Sequence, residues 1–180
     1  RNNKWDQVVR LYPEARFAFI NDEHNISKHL GLYVSILRPY TLARYWELHP
    51  ELKDNAIFYC DCDVLFTDNF NIDAYIDDDI NYLSDTNSYI NASYFDGKIH
   101  QVLPDKLEDF KKIDVLDDLG KKVGISREIA EKYNMHSGGA QYLLKNIEGS
   151  FWEKMVGDTL TIRTYLLDIN RKYFENENAG

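Results

Sequence analysis

Residues 56–66 read AIFYCDCDVLF, and this stretch carries most of the information about the fold. It opens with five apolar residues in a row, a pattern typical of a strand buried in the centre of a parallel sheet. Asp61 and Asp63 follow directly, just past the predicted carboxyl end of the strand, where open α/β sheets bind ligands. Side chains two residues apart on an extended backbone point the same way, so both carboxylates can face one ion.

The residue type at this site indicates which ion it would hold. Carboxylate oxygens are hard ligands, which suit Mg²⁺ or Mn²⁺ shared with a diphosphate. The alternative is an ordinary pair of turn aspartates, because the D-x-D pattern also arises by chance. The apolar run before Asp61 and the Val-Leu-Phe run after Asp63 favour the metal site. We therefore predict a divalent cation bound by this pair.

Helical and strand patterns alternate along the rest of the chain. Helices are predicted over residues 2–11, 39–49 and 151–173, with two more near 105–119 and 126–133. Strands are predicted at 16–20, 56–60 and 80–83, and a turn at Gly138-Gly139 leads into a last apolar run at 140–144. Such alternation predicts an α/β sheet flanked by helices. We expect one domain over residues 1–180, incomplete at both ends.

Composition excludes several classes of protein. Thirty acidic and 21 basic residues give a net charge of −9, which argues against non-specific nucleic-acid binding. No apolar run reaches the roughly 18 residues that a transmembrane helix needs. Cys60 and Cys62 lack partners for a zinc site, and a bridge across that spacing would be strained. They are interpreted as free, buried thiols, which predicts a reducing compartment and a cytoplasmic location.

One longer stretch carries a resemblance to a known family. Residues 41–66, TLARYWELHPELKDNAIFYCDCDVLF, resemble glycosyltransferase family 8, where T-x-A-R, a helix and an apolar strand precede D-x-D-V-L. Arg44 stands 17 residues before Asp61, a spacing similar to that of the family. Residues 136–144, HSGGAQYLL, resemble the N-A-G-V-L-L element of the same fold, with Ser137 in place of the family's Asn. Together the two stretches and their surroundings cover about half of the chain.

The resemblance implies a GT-A-type fold, the nucleotide-diphospho-sugar transferase architecture, with a central, mostly parallel sheet flanked by helices. It implies that Asp61 and Asp63 bind Mn²⁺ or Mg²⁺ and that Arg44 contacts the donor, with a UDP-sugar favoured. A sugar would then pass, with retention at the anomeric carbon, to a glycan or other hydroxyl acceptor. The cation would act as a Lewis acid on the departing diphosphate. No residue is identified as a catalytic base.

Further candidates surround this core assignment. Arg38, just before Pro39, is a second candidate for binding the anionic donor, while Arg44 could instead form an ordinary surface ion pair. Gly138 and Gly139 permit close backbone approach to a sugar, although a plain turn is the alternative. By resemblance Ser137 lies beside that sugar.

His136 is a candidate for the sugar or acceptor side, but a lone histidine is more often structural or exposed. Two other functions stay open for the whole chain. One is a non-catalytic GT-A-like module that binds a sugar or a partner, and the other is a metal-dependent nucleotidyltransferase.

Overall fold

The structure, a computed structural model, describes residues 3–22, 26–29, 33–61, 64, 66–68, 71–86, 88, 91–94, 97–98, 114–136 and 138–173. Its helices are α1 (Asn3–Leu11), α2 (Ile26–His29), α3 (Leu37–Leu48), α4 (Val115–Val123), α5 (Arg127–Lys132) and α6 (Gly149–Tyr173). Its strands are β1 (Ile57–Tyr59), β2 (Tyr82–Asp85) and β3 (Gly138–Leu144). Short 3₁₀ helices lie at Val34–Ile36, Pro50–Asp54, Ile72–Tyr75 and Asn134–His136.

Most of the predicted elements are confirmed to within a few residues. The exceptions are informative. Residues 16–20 form no strand, and their backbone pairs with none in the described ranges. Phe19 instead packs edge-on against Trp5 of α1, with ring centroids 6.0 Å apart. The turn predicted at Gly138-Gly139 is also wrong, because both glycines belong to β3. Of the helix predicted near 105–119, residues up to 113 lie outside the described ranges.

The boundaries of α3 follow from its proline residues. Pro39 lies in the first turn, where its missing N–H leaves no intrahelical bond unmade. At the other end His49 leaves the helical conformation, with φ −133° and ψ 67°, since the residue before a proline is pushed out of the α region. Pro50 then starts a 3₁₀ helix that leads into β1. Helix and strand are therefore joined by a short, stiff connection.

The described sheet has the strand order β1-β3-β2, and β3 runs antiparallel to both neighbours. It follows that β1 and β2 run parallel to each other, with β3 inserted between them in the opposite direction. This differs from the mostly parallel sheet expected from the sequence, since no two parallel strands are adjacent among the described residues. The apolar run that suggested a parallel neighbour is half-buried and pairs instead with an antiparallel strand. The GT-A assignment itself stays a prediction.

Two tryptophans form the centre of the core. Trp46 of α3 and Trp152 of α6 have ring centroids 5.5 Å apart, and both pack around Leu144 of β3. The Trp46 indole donates a 2.9 Å hydrogen bond from Nε1 to the carbonyl of Ile147, which fixes the chain between β3 and α6. Ile57 lies opposite Leu144 and joins the same cluster. Helices α3 and α6 therefore cover one face of the sheet.

A buried lysine joins the end of β3 to the loop that precedes β2. Lys145, only 7% exposed, donates from Nζ to the Asp78 carbonyl at 2.8 Å and to Asp78 Oδ1 at 2.5 Å. The Tyr82 hydroxyl donates to the other oxygen of that carboxylate at 2.5 Å. These hydrogen bonds, that from Lys145 foremost, lower the pKa of Asp78 to about 2. The loop before β2 is thereby tied to the end of β3.

None of the helices in the described ranges is both long and apolar enough to cross a bilayer.

Candidate metal and donor-binding site

Strand register brings two aspartates to one edge of the sheet. Tyr59 of β1 and Leu83 of β2 both lie opposite Tyr142 of β3, so these three residues are level with one another. Asp61 follows Tyr59 by two residues, and Asp85 follows Leu83 by two. With β3 between them, the two strands lie about 10 Å apart. Asp61 and Asp85 therefore lie at the carboxyl ends of β1 and β2, which meet at the same edge of the sheet.

Asp61 is held by an arginine and a tyrosine. Its Oδ1 accepts hydrogen bonds from Arg38 Nη2 at 2.8 Å and from the Tyr59 hydroxyl at 3.2 Å. The Arg38 guanidinium carbon also lies 5.8 Å from the centre of the Tyr59 ring. Burial raises the pKa of Tyr59, and the nearby guanidinium opposes part of that rise. Tyr59 therefore stays protonated at neutral pH and remains a donor to the carboxylate.

The direction of α3 decides which arginine reaches Asp61. Arg38 lies in the first turn, at the carboxyl end of β1, whereas Trp46 near the other end packs against Leu144, opposite the start of β1. Arg44 lies about 9 Å farther along the helix axis and about a third of a turn around it. Its guanidinium pairs with Glu47 of the same helix, and its side chain is 47% exposed.

The structure thus brings Arg38, the weaker of the two arginine candidates, to the carboxylate. Arg44 adopts the surface ion pair that was its alternative interpretation. A donor contact by Arg44 remains a prediction, and no described contact joins it to Asp61. The sequence favoured Arg44 on its resemblance to the family's T-x-A-R segment and on its spacing from Asp61, and neither reports the rotation of a helix about its axis.

A bulge distorts β3 at the same edge. Between the Leu83–Tyr142 and Asp85–Gly138 pairs, β2 advances two residues and β3 four, so β3 carries the extra length. Ala140 within it has a φ of 65°, a left-handed conformation that costs a non-glycine residue roughly 1–2 kcal/mol. Strained backbone of this kind tends to occur at functional sites, where surrounding contacts hold it in place.

Ser84 supplies contacts that hold the bulge. Its hydroxyl donates to the Gly139 carbonyl and accepts a 3.4 Å hydrogen bond from the Gln141 N–H. One side chain of β2 therefore satisfies backbone groups on both sides of Ala140. These two groups would otherwise lose their ladder partners where the register shifts.

The packing of β3 against β2 requires glycine at position 138, a reason that the sequence did not reveal. A β-carbon at this position would lie 2.5 Å from both Leu83 Cβ and the Ser84 carbonyl oxygen. The close backbone approach that glycine allows here is thus to β2. Gly139 lies in the bulge, at the edge where Asp61 and Asp85 are found. Ser137 and Asp63 both lie outside the described residues, so their predicted roles stay predictions.

His136 lies on the β2 side of the site. Together with Met135 and the strand segment from Tyr82 to Asp85, it lines a hollow of about 280 Å³. The side chain of His136 is exposed. His136, the candidate for the sugar side, and Asp85 therefore line the same small hollow. Strand β3 separates this hollow from Asp61.

A larger hollow of about 520 Å³ lies on the sheet face opposite α3 and α6. Phe58 and its register partner Leu143 point to this face, because Tyr59 and Tyr142 point to the other. Its described walls include four aromatic side chains, namely Phe58, Phe66, Tyr75 and Tyr82. The volume is in the range of small-molecule sites.

Asp61 has the chemistry that a divalent cation needs. It offers carboxylate oxygens at a strand end, its side chain is 27% exposed, and both described hydrogen bonds go to Oδ1. Among the described residues, no three His, Cys, Asp or Glu side chains are grouped closely enough to hold a metal. Asp63, the predicted second ligand, is not among those residues. The fit therefore rests on Asp61, and the cation remains a proposal.

Asp85 and Ser84 are among the residues of this site that were not predicted from the sequence. Asp85 ends a predicted strand much as Asp61 does, and parallel strands place their carboxyl ends at one edge, so that signal was available. Ser84 had no such signal, because its role depends on a bulge in a distant strand.

Cys60 is a free thiol and is partly buried, in line with its interpretation as a small apolar residue, while Cys62 lies outside the described residues.

Comparisons with known proteins add no assignment. No protein-family model matches the chain, and no curated protein or solved structure is significantly similar to it.

Proposed function

We propose that this chain is a metal-dependent glycosyltransferase of the GT-A type, which moves a sugar from a nucleotide-diphosphate donor to an acceptor hydroxyl. One observation carries the proposal. Arg38 and Asp61 lie together at the sheet edge where both parallel strands end, so a guanidinium and a carboxylate are adjacent. A carboxylate suits a cation and a guanidinium suits a diphosphate, which are the two charged parts of such a donor.

Each residue has a defined task in this proposal. Asp61, with Asp63 from the sequence pattern, would hold Mn²⁺ or Mg²⁺, which when bound neutralises charge on the departing diphosphate. Arg38 would donate hydrogen bonds to diphosphate oxygens, and Tyr59 would keep the Asp61 carboxylate oriented. Asp85, His136 and the β3 bulge would lie on the sugar and acceptor side. Most of the rate gain would come from positioning these partners.

The donor is proposed to be a UDP-sugar on the resemblance, and the acceptor a glycan or other hydroxyl compound. The free thiol of Cys60 accords with a reducing, cytoplasmic compartment, which is part of the same proposal.

One observation favours the non-catalytic alternative. The 520 Å³ hollow with its aromatic walls could hold a ring-shaped ligand without any of the charged residues taking part. This hollow lies on the opposite face of the sheet from Arg38. A sugar-binding module using it would need neither a cation nor Asp61.

Donor hydrolysis distinguishes these functions. The whole chain is incubated with Mn²⁺ and a panel of UDP-sugars, and free UDP is measured over time. A transferase releases UDP slowly to water, whereas a binding module releases none. A nucleotidyltransferase, given a nucleoside triphosphate and a sugar phosphate, releases pyrophosphate instead.

Two aspartate variants make the test specific to the site. Asp61→Asn is expected to abolish UDP release and Mn²⁺-dependent UDP binding, with an unchanged circular dichroism spectrum. Asp54→Asn is the matched control, because Asp54 is exposed on the 3₁₀ helix that precedes β1. If Asp61→Asn binds UDP with the same Mn²⁺ requirement as the parent chain, the proposed function is wrong.

A further inference from the structure

The Arg38–Asp61 pair is accessible to solvent and therefore to ligands. The Arg38 side chain is 49% exposed and that of Asp61 is 27% exposed, with 2.8 Å between Nη2 and Oδ1. Exposed ion pairs contribute little to stability, so a ligand can replace either partner. Arg38 also lies in the first turn of α3, where the helix dipole disfavours a cation. Its present position thus depends on a nearby negative charge.

This arrangement has opposite consequences for two kinds of ligand. A bare divalent cation approaching Asp61 must displace or share Oδ1 with a guanidinium, and it meets a like charge at close range. A diphosphate brings negative charge that both the cation and Arg38 can bind. Arg38 can then exchange Asp61 for phosphate oxygens without losing a hydrogen-bonded anion.

We propose that Arg38 is a specificity-determining residue, which makes the site select a divalent cation paired with a diphosphate over the cation alone. This inference rests on the proposed function and adds the order of preference among its ligands. A nucleoside monophosphate has one phosphate to divide between Arg38 and the cation. Arg38 and the cation together therefore strengthen the binding of a monophosphate less than that of a diphosphate.

The chain offers a matched control outside the site. Arg127 of α5 is 47% exposed, against 49% for Arg38, and it too is paired with an acidic side chain, Glu131. Replacing either arginine by glutamine changes the net charge by the same amount. A difference between the two variants therefore reports position and not overall charge.

The experiment measures Mn²⁺ binding by electron paramagnetic resonance, with no nucleotide, with UMP and with UDP. In the parent chain, UDP is expected to tighten Mn²⁺ binding about tenfold or more, and UMP by less. In Arg38→Gln, Mn²⁺ alone is expected to bind about threefold more tightly, because the competing ion pair is gone. The gain from UDP should shrink about tenfold with loss of a charged hydrogen bond. Arg127→Gln should behave like the parent, and Arg38→Lys should recover part of the gain.

The outcomes separate the two proposals. If the parent binds Mn²⁺ neither alone nor with UDP, the proposed function is wrong and this inference falls with it. If the parent shows the coupling and Arg38→Gln matches Arg127→Gln, only the inference is overturned. Circular dichroism on each variant identifies a folding defect. If Arg38→Gln has one, Arg38→Lys decides whether the inference holds, since it keeps the positive charge.

Discussion

Arg38 and Asp61, 23 residues apart in the chain, are joined by a hydrogen bond of 2.8 Å from Nη2 to Oδ1. The contact connects the start of α3 to the end of β1, and so sets the helix against the strand that it precedes. It also places a positive and a negative side chain together at the edge where β1 and β2 both end. The site hypothesis depends on this juxtaposition more than on any other contact.

Ser84 is expected to stabilise the β3 bulge. Ser84→Ala leaves the Gly139 carbonyl and the Gln141 N–H without the hydroxyl between them, so it should lower the free energy of unfolding by about 1–3 kcal/mol. Ser84→Thr keeps the hydroxyl and should lose less. Urea unfolding of both variants measures the difference. If Ser84→Ala is as stable as the parent, the serine does not hold the bulge.

Ala140→Gly should stabilise the chain, by about 1 kcal/mol, because glycine adopts a φ of 65° without steric cost. Ala130→Gly is a control in which the change in stability should have the opposite sign. Ala130 lies inside α5, so glycine there should destabilise the chain by about as much. Thermal unfolding of the pair tests whether the signs differ. Two destabilising substitutions would mean that the left-handed conformation at Ala140 carries no strain.

Two further glycines should respond in opposite directions to alanine. A β-carbon at Gly157, inside α6, meets nothing within 4 Å, so Gly157→Ala should raise the free energy of unfolding by about 0.5–1 kcal/mol. Gly124 has equally open surroundings but a φ of 76° at the end of α4. Gly124→Ala should therefore destabilise by about 1 kcal/mol. Equal effects in urea unfolding would show that conformation at Gly124 does not matter.

Acid is expected to weaken the Lys145–Asp78 contact over a defined interval. The folded-state pKa of Asp78 is about 2, below its ordinary value of 3.8, so the carboxylate stabilises the fold while it is ionised. That contribution is fully present above pH 4 and disappears as the pH falls towards 2. Urea unfolding from pH 5 to pH 2 should therefore show a shallower loss of stability for Asp78→Asn than for the parent.

The comparison between the parent and Asp78→Asn separates the effect of Asp78 on stability from that of the other carboxylates that titrate in the same range. Parallel curves for the parent and Asp78→Asn would contradict the assignment of this pKa to the contact with Lys145.

The sequence by itself determined the local elements and the position of the first carboxylate. The apolar run at 56–60 and the pattern after Pro39 predicted β1 and α3, because side-chain periodicity and proline geometry act within a few residues. The D-x-D pattern placed Asp61 at the end of the strand for the same local reason. The run at 16–20 misled, since a short apolar segment becomes a strand only if another strand is beside it.

Tertiary structure alone decided which groups meet at the site. The choice of Arg38 over Arg44 depends on how α3 is rotated and oriented on the sheet, and packing of Trp46 against Trp152 and Leu144 sets that orientation. The level positions of Asp61 and Asp85 depend on β3 lying between β1 and β2. Such long-range pairings are fixed by the burial of apolar surface across the whole domain, which no short stretch of sequence encodes.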